Sequence, residues 1–540
     1  MGRLSPHWAI GALLVALPWL NPFAHGPSPA VQPWLTSAAC ALGLWLWALS
    51  RGVRPRVRLW LPAIAIFAWA VVSQLALRPE TVMLAMGLLL MGIAAGLAED
   101  EGTTTALQAG MLGAAAISAL AGIVQYLGAS AVLEPWINIA RPGEAFGNLR
   151  QPNLYASLCW IGAAIVLWGG LRLPLAARAV LIGLLAAGSA ASVSRTGLLQ
   201  ALAVLALAAI WNGPARRERM ALCAVALASY FAAAVLLPLA LQATADLDPA
   251  RTLWVRLGGG EGCSSRLVLW SNVLRLIALK PLAGWGWGEL DYAHFMTLYP
   301  GERFCDILDN AHSLPLHLAV ELGLPAALAI AGIGVLAILR RMPWKEAMPR
   351  RQLAWALIAI ILLHSLLEYP LWYGPFQIAF GASLGWLLAS EEQQEAGVRP
   401  LARSAAVAII LLPATAYAAW DYARVSQVYL PPEQRRAAWA DDTLEHVRRS
   451  WLFAGQARFA DLTLASLSPS NAAWMHDLSN RMLHYSPEPR VIERAIESAT
   501  MVGQEDEAVL HLARYRAAFP GDYAQWSAAL RRQPAAPPGR

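Results

Sequence analysis

The chain has 540 residues, of which 57% are hydrophobic and only 14% charged, against about 25% charged in an ordinary soluble domain. That shortfall excludes a soluble globular protein as the main body of the chain. The formal charge of +6 is carried by short basic clusters between apolar runs, the pattern of orientation signals and not of a nucleic-acid surface.

Apolar runs of bilayer length, roughly 17–25 residues each, are predicted at 8–24, 34–50, 59–77, 81–98, 104–128, 152–170, 174–191, 197–212, 219–241, 312–339, 352–368, 371–389 and 403–421. Backbone groups cannot go unpaired in lipid, so these runs are expected as helices. The fold class is therefore all-α, a polytopic membrane protein with about 12–13 transmembrane helices. The first run, Trp8 to Leu20, follows Arg3 and precedes Asn21-Pro22-Phe23-Ala24-His25. That is a poor cleavage site, so the run is read as a retained first span.

Basic residues alternate by side. Arg3, the Arg51–Arg58 cluster, Arg172, Arg178, the Arg216–Arg219 cluster, Arg340, Arg341, Lys345, Arg350, Arg351, Arg399 and Arg403 fall on one side. Only Arg78, Arg141, Arg150 and Arg195 occupy the short connections of the other. The positive-inside rule then places the N-terminus in the cytoplasm and, with thirteen spans, the C-terminus outside a bacterial inner membrane. The predicted domains are a transmembrane body at 1–421, with a long periplasmic loop at 242–311, and a periplasmic helical domain at 422–540. Ser486-Pro487 and Phe519-Pro520 end helix-like stretches 33 residues apart, near the ~34-residue tetratricopeptide period. Cys40, Cys159 and Cys223 lie in apolar runs and read as small core residues. Cys263 and Cys305 share the long loop, where an oxidising compartment permits a disulfide. The sequence leaves that pairing open.

Polar side chains at span ends are costly and direct attention to function. Gln125, Arg150, Gln151, Asn153, Arg195, Arg266, His312, His364, Glu368, Tyr369 and Tyr373 all fall on the outer side of the map, which suggests one cavity there. A guanidinium such as Arg195 can hold phosphate oxygens in bidentate fashion. Arg266 opens an amphipathic stretch suited to a membrane surface. A histidine such as His312 can take a proton from a hydroxyl near neutral pH, although a lone histidine is more often structural. His364 and Glu368 stand four apart, as on one helical face. The chain offers no dense metal-ligand cluster, and no Walker loop, dinucleotide fingerprint or nucleophile elbow. Neither a metal nor a cofactor is therefore expected.

Four segments carry a resemblance. Phe146-Gly147-Asn148-Leu149-Arg150-Gln151-Pro152-Asn153-Leu154-Tyr155-Ala156 resembles the signature of bacterial protein O-oligosaccharyltransferases, the pilin-glycosylation ligases of the O-antigen ligase and polymerase superfamily. Ser265-Arg266, Trp270 and Pro281 to Gly288 are similar to the superfamily's outer loop. Asn310-Ala311-His312-Ser313, with Glu321 to Pro325 behind it, resembles its catalytic-histidine motif, and His364 to Tyr373 resembles the protein-glycosylating branch. The resemblance implies transfer of an oligosaccharide from undecaprenyl pyrophosphate to Ser or Thr hydroxyls of periplasmic, pilin-like proteins, without a metal. It implies that His312 activates or orients the acceptor, and that Arg195 and Arg266 hold the pyrophosphate. Gln151, Tyr373, Arg150 and Glu368 would position substrate. The rivals are an O-antigen ligase acting on lipid A core, an O-antigen polymerase, a lipid-linked glycan flippase and a non-catalytic scaffold.

Overall fold

A computed structural model describes residues 7–23, 30–245, 262–389 and 401–532. Arg3, Arg399, Ala24, His25 and the stretch 246–261 of the long loop lie outside the described residues. No strand occurs among the described residues. The predicted runs coincide with the helices His7–Leu20, Val31–Ser50, Trp60–Gln74, Pro79–Leu97, Glu101–Tyr126, Pro152–Trp168, Leu175–Ala191, Arg195–Ile210 and Arg216–Ala245. Toward the C-terminus they coincide with Pro349–Ser365, Gly374–Leu388 and Leu401–Val425. Six of the described helices are long and apolar enough to cross a membrane, and five more are apolar but shorter. Their outer faces stay apolar, with Ile333 69% and Ile409 71% exposed. Surfaces of that kind are stable against lipid, not water. The chain is a polytopic all-α membrane protein.

One predicted span is corrected. The run 312–339 folds as two helices, Leu314–Leu322 and Leu324–Arg341, parted by Gly323 at φ 84°. The segment Pro281–Gly284 presses against this break. Leu324 N–H donates to the Pro281 carbonyl at 2.8 Å, and a Cβ on residue 323 would stand 2.1 Å from the Leu282 oxygen. Only glycine fits both the dihedral and the space.

The described residues fall into two compact units. The first comprises 1–66, 84–259 and 332–417. Its Glu101–Tyr126 helix packs against His7–Leu20, Pro152–Trp168 and Leu175–Ala191. Asp100 caps that helix by accepting from Thr103 N–H at 2.8 Å, and Cys40, Cys159 and Cys223 are buried free thiols.

The second unit comprises 67–83, 260–331 and 418–540. Its C-terminal part is built of Ala454–Leu464, Ala472–Leu483, Pro489–Met501, Glu505–Ala518 and Pro520–Arg532. The helix starts Ala454 and Pro489 are 35 residues apart, and Ala472 and Glu505 are 33 apart, so two helix–turn–helix pairs follow each other near the ~34-residue period. The core of these pairs takes in Phe295 from the Leu290–Met296 helix of the long loop. Arg514 donates to the Met296 carbonyl at 3.2 Å, and Tyr292 stacks on His484 with ring centroids 3.7 Å apart. Loop and tail are thus packed as one body.

Candidate functional site

In the first unit, Gln125 is fully buried and holds the turn before the Pro152–Trp168 helix. Its amide donates to the carbonyls of Asn138 (2.8 Å) and Gly147 (2.9 Å), and its oxygen accepts from Phe146 N–H (3.0 Å) and Gly147 N–H (2.7 Å). Asn148 ties the same turn to the carbonyls of Leu20 and Trp136. The chain then passes through Arg150 at φ 56°, a conformation that costs a non-glycine residue on the order of 1–2 kcal/mol. Gln151 caps the helix, its side-chain oxygen accepting from Leu154 N–H at 2.7 Å, and Pro152 stands first in the helix, where no N–H is needed.

Asn153 joins three segments. Its oxygen accepts from the Ser194 hydroxyl at 2.6 Å, and its amide lies 3.5 Å from the Glu368 carboxylate. Ser194 in turn caps the Arg195–Ile210 helix, accepting from Gly197 N–H at 3.0 Å, and Val193 before it has φ 51°. Arg195 is therefore the first residue of a helix, and it is exposed. A cation there opposes the helix dipole, so its position is not a gain in helix stability. The helix of the His364 segment ends at Ser365, and Glu368, one turn after His364, still donates its N–H to the His364 carbonyl at 2.9 Å. His364 Nδ1 lies 2.8 Å from the Ser157 hydroxyl, which also accepts from Gln200 at 2.7 Å. Tyr369 and Tyr373 stack, and Tyr373 precedes the Gly374–Leu388 helix. Burial lowers the pKa of Arg150, and Tyr373 opposes that shift as its neighbour.

In the second unit, Ser265 caps the Arg266–Leu279 helix, accepting from Val268 N–H at 3.3 Å. Arg266, like Arg195, is the first residue after a serine cap. Trp270, one turn on, donates its indole N–H to the Ala311 carbonyl at 3.1 Å, which brings the face of Arg266 to the residue before His312. His312 has φ 48°, and its N–H donates to the Asn310 side chain at 2.9 Å. Packing around the Asp309 carboxyl raises its pKa, while His312 and His317 beside it pull it down.

Sequence reasoning missed His317. It is buried, with Nε2 3.2 Å from the Glu321 carboxylate one turn later, and its Nδ1 accepts from Ala311 N–H at 3.4 Å. The backbone donor fixes the tautomer, with the ring proton on Nε2 facing Glu321. The i,i+4 spacing of His and Glu was the available signal. Cys263 and Cys305 are bonded, with Cα atoms 5.5 Å apart. Among the described residues no three His, Cys, Asp or Glu side chains gather as a metal would require.

The structure thus brings Arg150, Gln151, Asn153, Arg195, Glu368 and Tyr373 into the first unit, and Arg266, His312 and His317 into the second. A family described as O-Antigen ligase matches residues 179–331, which hold Arg195, Arg266 and His312. A second, described as "Virulence factor membrane-bound polymerase, C-terminal", matches residues 352–533. The General O-oligosaccharyltransferase of Acinetobacter baylyi is 25% identical over 456 residues, covering 78% of this chain and 77% of that protein. Together these matches support a protein of the O-antigen ligase superfamily. The ComP-specific O-oligosaccharyltransferase of Acinetobacter baylyi is also similar, 27% identical over 124 residues, or 23% of this chain and 22% of that protein. No solved structure matches the chain. The ligase family match and the printed names of the two relatives support ligase-type glycan transfer.

Proposed function

We propose that the chain is a protein O-oligosaccharyltransferase. It transfers an oligosaccharide en bloc from undecaprenyl pyrophosphate to Ser or Thr hydroxyls of periplasmic proteins such as pilin, on the outer side of the inner membrane. The observation that carries this reading is the His312 turn. A histidine in a left-handed conformation is held by Asn310, by the Trp270 bond to Ala311 and by the His317 bond to the same residue. Strain of this kind persists only where its surroundings impose it.

In the reaction the acceptor oxygen attacks the anomeric carbon, and the glycosidic C–O bond forms. The bond from that carbon to the pyrophosphate oxygen breaks, and undecaprenyl pyrophosphate leaves with the electron pair. His312 takes the hydroxyl proton. Arg266 and Arg195 each place a guanidinium at a helix start, a pairing suited to phosphate oxygens. Charge grows on those oxygens as the bond breaks, so preorganised donors favour the transition state. Gln151 has its oxygen engaged in the helix cap, which leaves its amide N–H groups to position substrate. Tyr373 and Glu368 act as positioning groups.

The test supplies one lipid-linked oligosaccharide to the reconstituted protein with three acceptors in parallel: a periplasmic pilin, lipid A core and the glycan itself. Mass addition to pilin Ser or Thr is expected. Transfer only to lipid A core, or only glycan growth, replaces the protein acceptor with one of the superfamily's others.

A further inference from the structure

The helix Arg266–Leu279 has two unlike faces. Leu269, Val273 and Leu276 are fully buried and share one core of the second unit with Leu290, Ala293, Phe304 and Ala311. The other face carries apolar side chains that no described residue covers, with Leu267 79% exposed and Leu274 exposed beside it. At about 100° per residue, Leu267, Ser271, Leu274 and Ala278 fall within about 60° of one another, and all four are exposed. Arg275 stands exposed at the edge of this stripe.

Both ends of the helix are pinned. Cys263, just before it, is bonded to Cys305. Just after it, the Pro281 carbonyl accepts from Leu324 N–H at 2.8 Å. Leu324 opens a helix of 18 residues that closes on Arg340 and Arg341. At about 1.5 Å per residue such a helix covers about 27 Å, close to the ~30 Å of a bilayer's hydrocarbon. With the two arginines among the headgroups of one leaflet, Leu324 reaches the headgroups of the other, and the Arg266–Leu279 helix ends at that depth. Leu282, next to the bonded Pro281, is 73% exposed, and Leu328, one turn into the span, is exposed as well. Apolar surface is thus uncovered on both sides of the joint.

The charge fits the same place. Residues 262–288 hold Arg266, Arg275 and Lys280 and no Asp or Glu. Water leaves the leucines uncovered, and the hydrocarbon layer strands Arg275. The boundary between headgroups and acyl chains takes both, with leucines directed inward and the guanidinium on phosphate oxygens.

We propose that the Arg266–Leu279 helix is seated in the headgroup boundary of the leaflet opposite Arg340 and Arg341, with Leu267 and Leu274 among the acyl chains and Arg275 on lipid phosphates. Arg266, the first residue of the same helix, then lies at the depth where a lipid-linked phosphate is presented. The seating itself does not depend on the glycan-transfer reading.

The test attaches a nitroxide label to Leu267→Cys or Leu274→Cys in the full-length chain in nanodiscs, with Arg516→Cys, exposed on a tail helix, as the water reference. Cys40, Cys159 and Cys223 are buried, and the unsubstituted chain treated alike gives their background. Collisions with oxygen, which enters lipid, are compared with those of a nickel chelate, which stays in water. The oxygen-to-nickel ratio at Leu267→Cys and Leu274→Cys is expected to exceed that at Arg516→Cys by about fivefold or more. If either variant does not fold, Ser271→Cys takes its place. Ratios equal to the reference show a water-facing helix and overturn the proposal. Few collisions with either reagent show a protein covering, from a second copy or another partner, and overturn it too. Replacing phosphatidylcholine with phosphatidylglycerol is expected to raise the ratio at Leu274→Cys about twofold, and Arg275→Gln to abolish that rise. A rise that survives Arg275→Gln overturns the assignment of lipid phosphates to Arg275. If the labels are immersed while no glycan reaches any acceptor, the proposed function fails and the seating stands.

Discussion

His294 gives a sharp test of how the long loop is held to the tail. It is buried in the Leu290–Met296 helix, with Nε2 3.1 Å from the Phe304 carbonyl and Nδ1 2.8 Å from the Tyr299 hydroxyl. The carbonyl can only accept, so Nε2 carries the proton and the tyrosine donates to Nδ1. Burial, with Arg303 adding to it, pushes the His294 pKa down from 6.5 to about 3. The folded state therefore resists a proton that the unfolded chain takes up. The stabilising contribution is full above the ordinary value and is lost as pH falls toward the folded one. From about pH 7.5 to about pH 5 this amounts to about 2 kcal/mol, or about thirtyfold in the local opening equilibrium. Asp291, three residues earlier, acts with the opposite sign, because burial raises its pKa well above the usual range. The comparison with His294→Gln isolates the histidine, since glutamine keeps a donor for Phe304 and an acceptor for Tyr299. Hydrogen exchange of residues 290–304, corrected for intrinsic rates, should show protection falling about thirtyfold more in wild type than in the variant. Equal pH dependence in both would refute the assignment.

Three further outcomes follow from other contacts. Gln125→Leu removes four hydrogen bonds from the 138–147 turn and should cost about 2–4 kcal/mol, read as a lower thermal midpoint in nanodiscs. Gly323→Ala places a Cβ against the Leu282 carbonyl at φ 84° and should destabilise the second unit by more than about 1 kcal/mol. An unchanged unfolding profile would contradict the close approach of Pro281–Gly284. In denatured, unreduced protein three thiols should alkylate, and five after reduction, because Cys263 and Cys305 are bonded and Cys40, Cys159 and Cys223 are free. Five labels without reductant would contradict the disulfide, which closes a loop worth about 4 kcal/mol in the chain-entropy model.

Much of the fold was legible because lipid imposes a single backbone solution on long apolar runs. Hydropathy located the helix from Glu101 to Tyr126 and that from Leu401 to Val425 within a few residues. It was blind to the break at Gly323, which depends on backbone arriving from about forty residues earlier in the sequence. The Ser157 partner of His364 and the Asn153 partner of Glu368 were also out of reach, since they lie 207 and 215 residues earlier in the sequence. Of the candidate site, Arg266 and His312 were read from their motifs and fall in one unit, joined through Trp270 and Ala311. That both arginines follow a serine cap was visible in Ser194-Arg195 and Ser265-Arg266. Their place at a helix start still required knowing where each helix begins. The His317–Glu321 pair had a sequence signal in its spacing, yet nothing local distinguishes it from the many i,i+4 pairs that lie on solvated faces.

The central claim is that His312 serves glycan transfer to a protein hydroxyl. The most direct measurement reconstitutes wild type and His312→Ala with a lipid-linked oligosaccharide and a periplasmic pilin, and weighs the intact pilin and its peptides. The account predicts glycan on pilin Ser or Thr with wild type, and none with a His312→Ala variant whose unfolding profile matches wild type. Equal glycan transfer by the two proteins would contradict it.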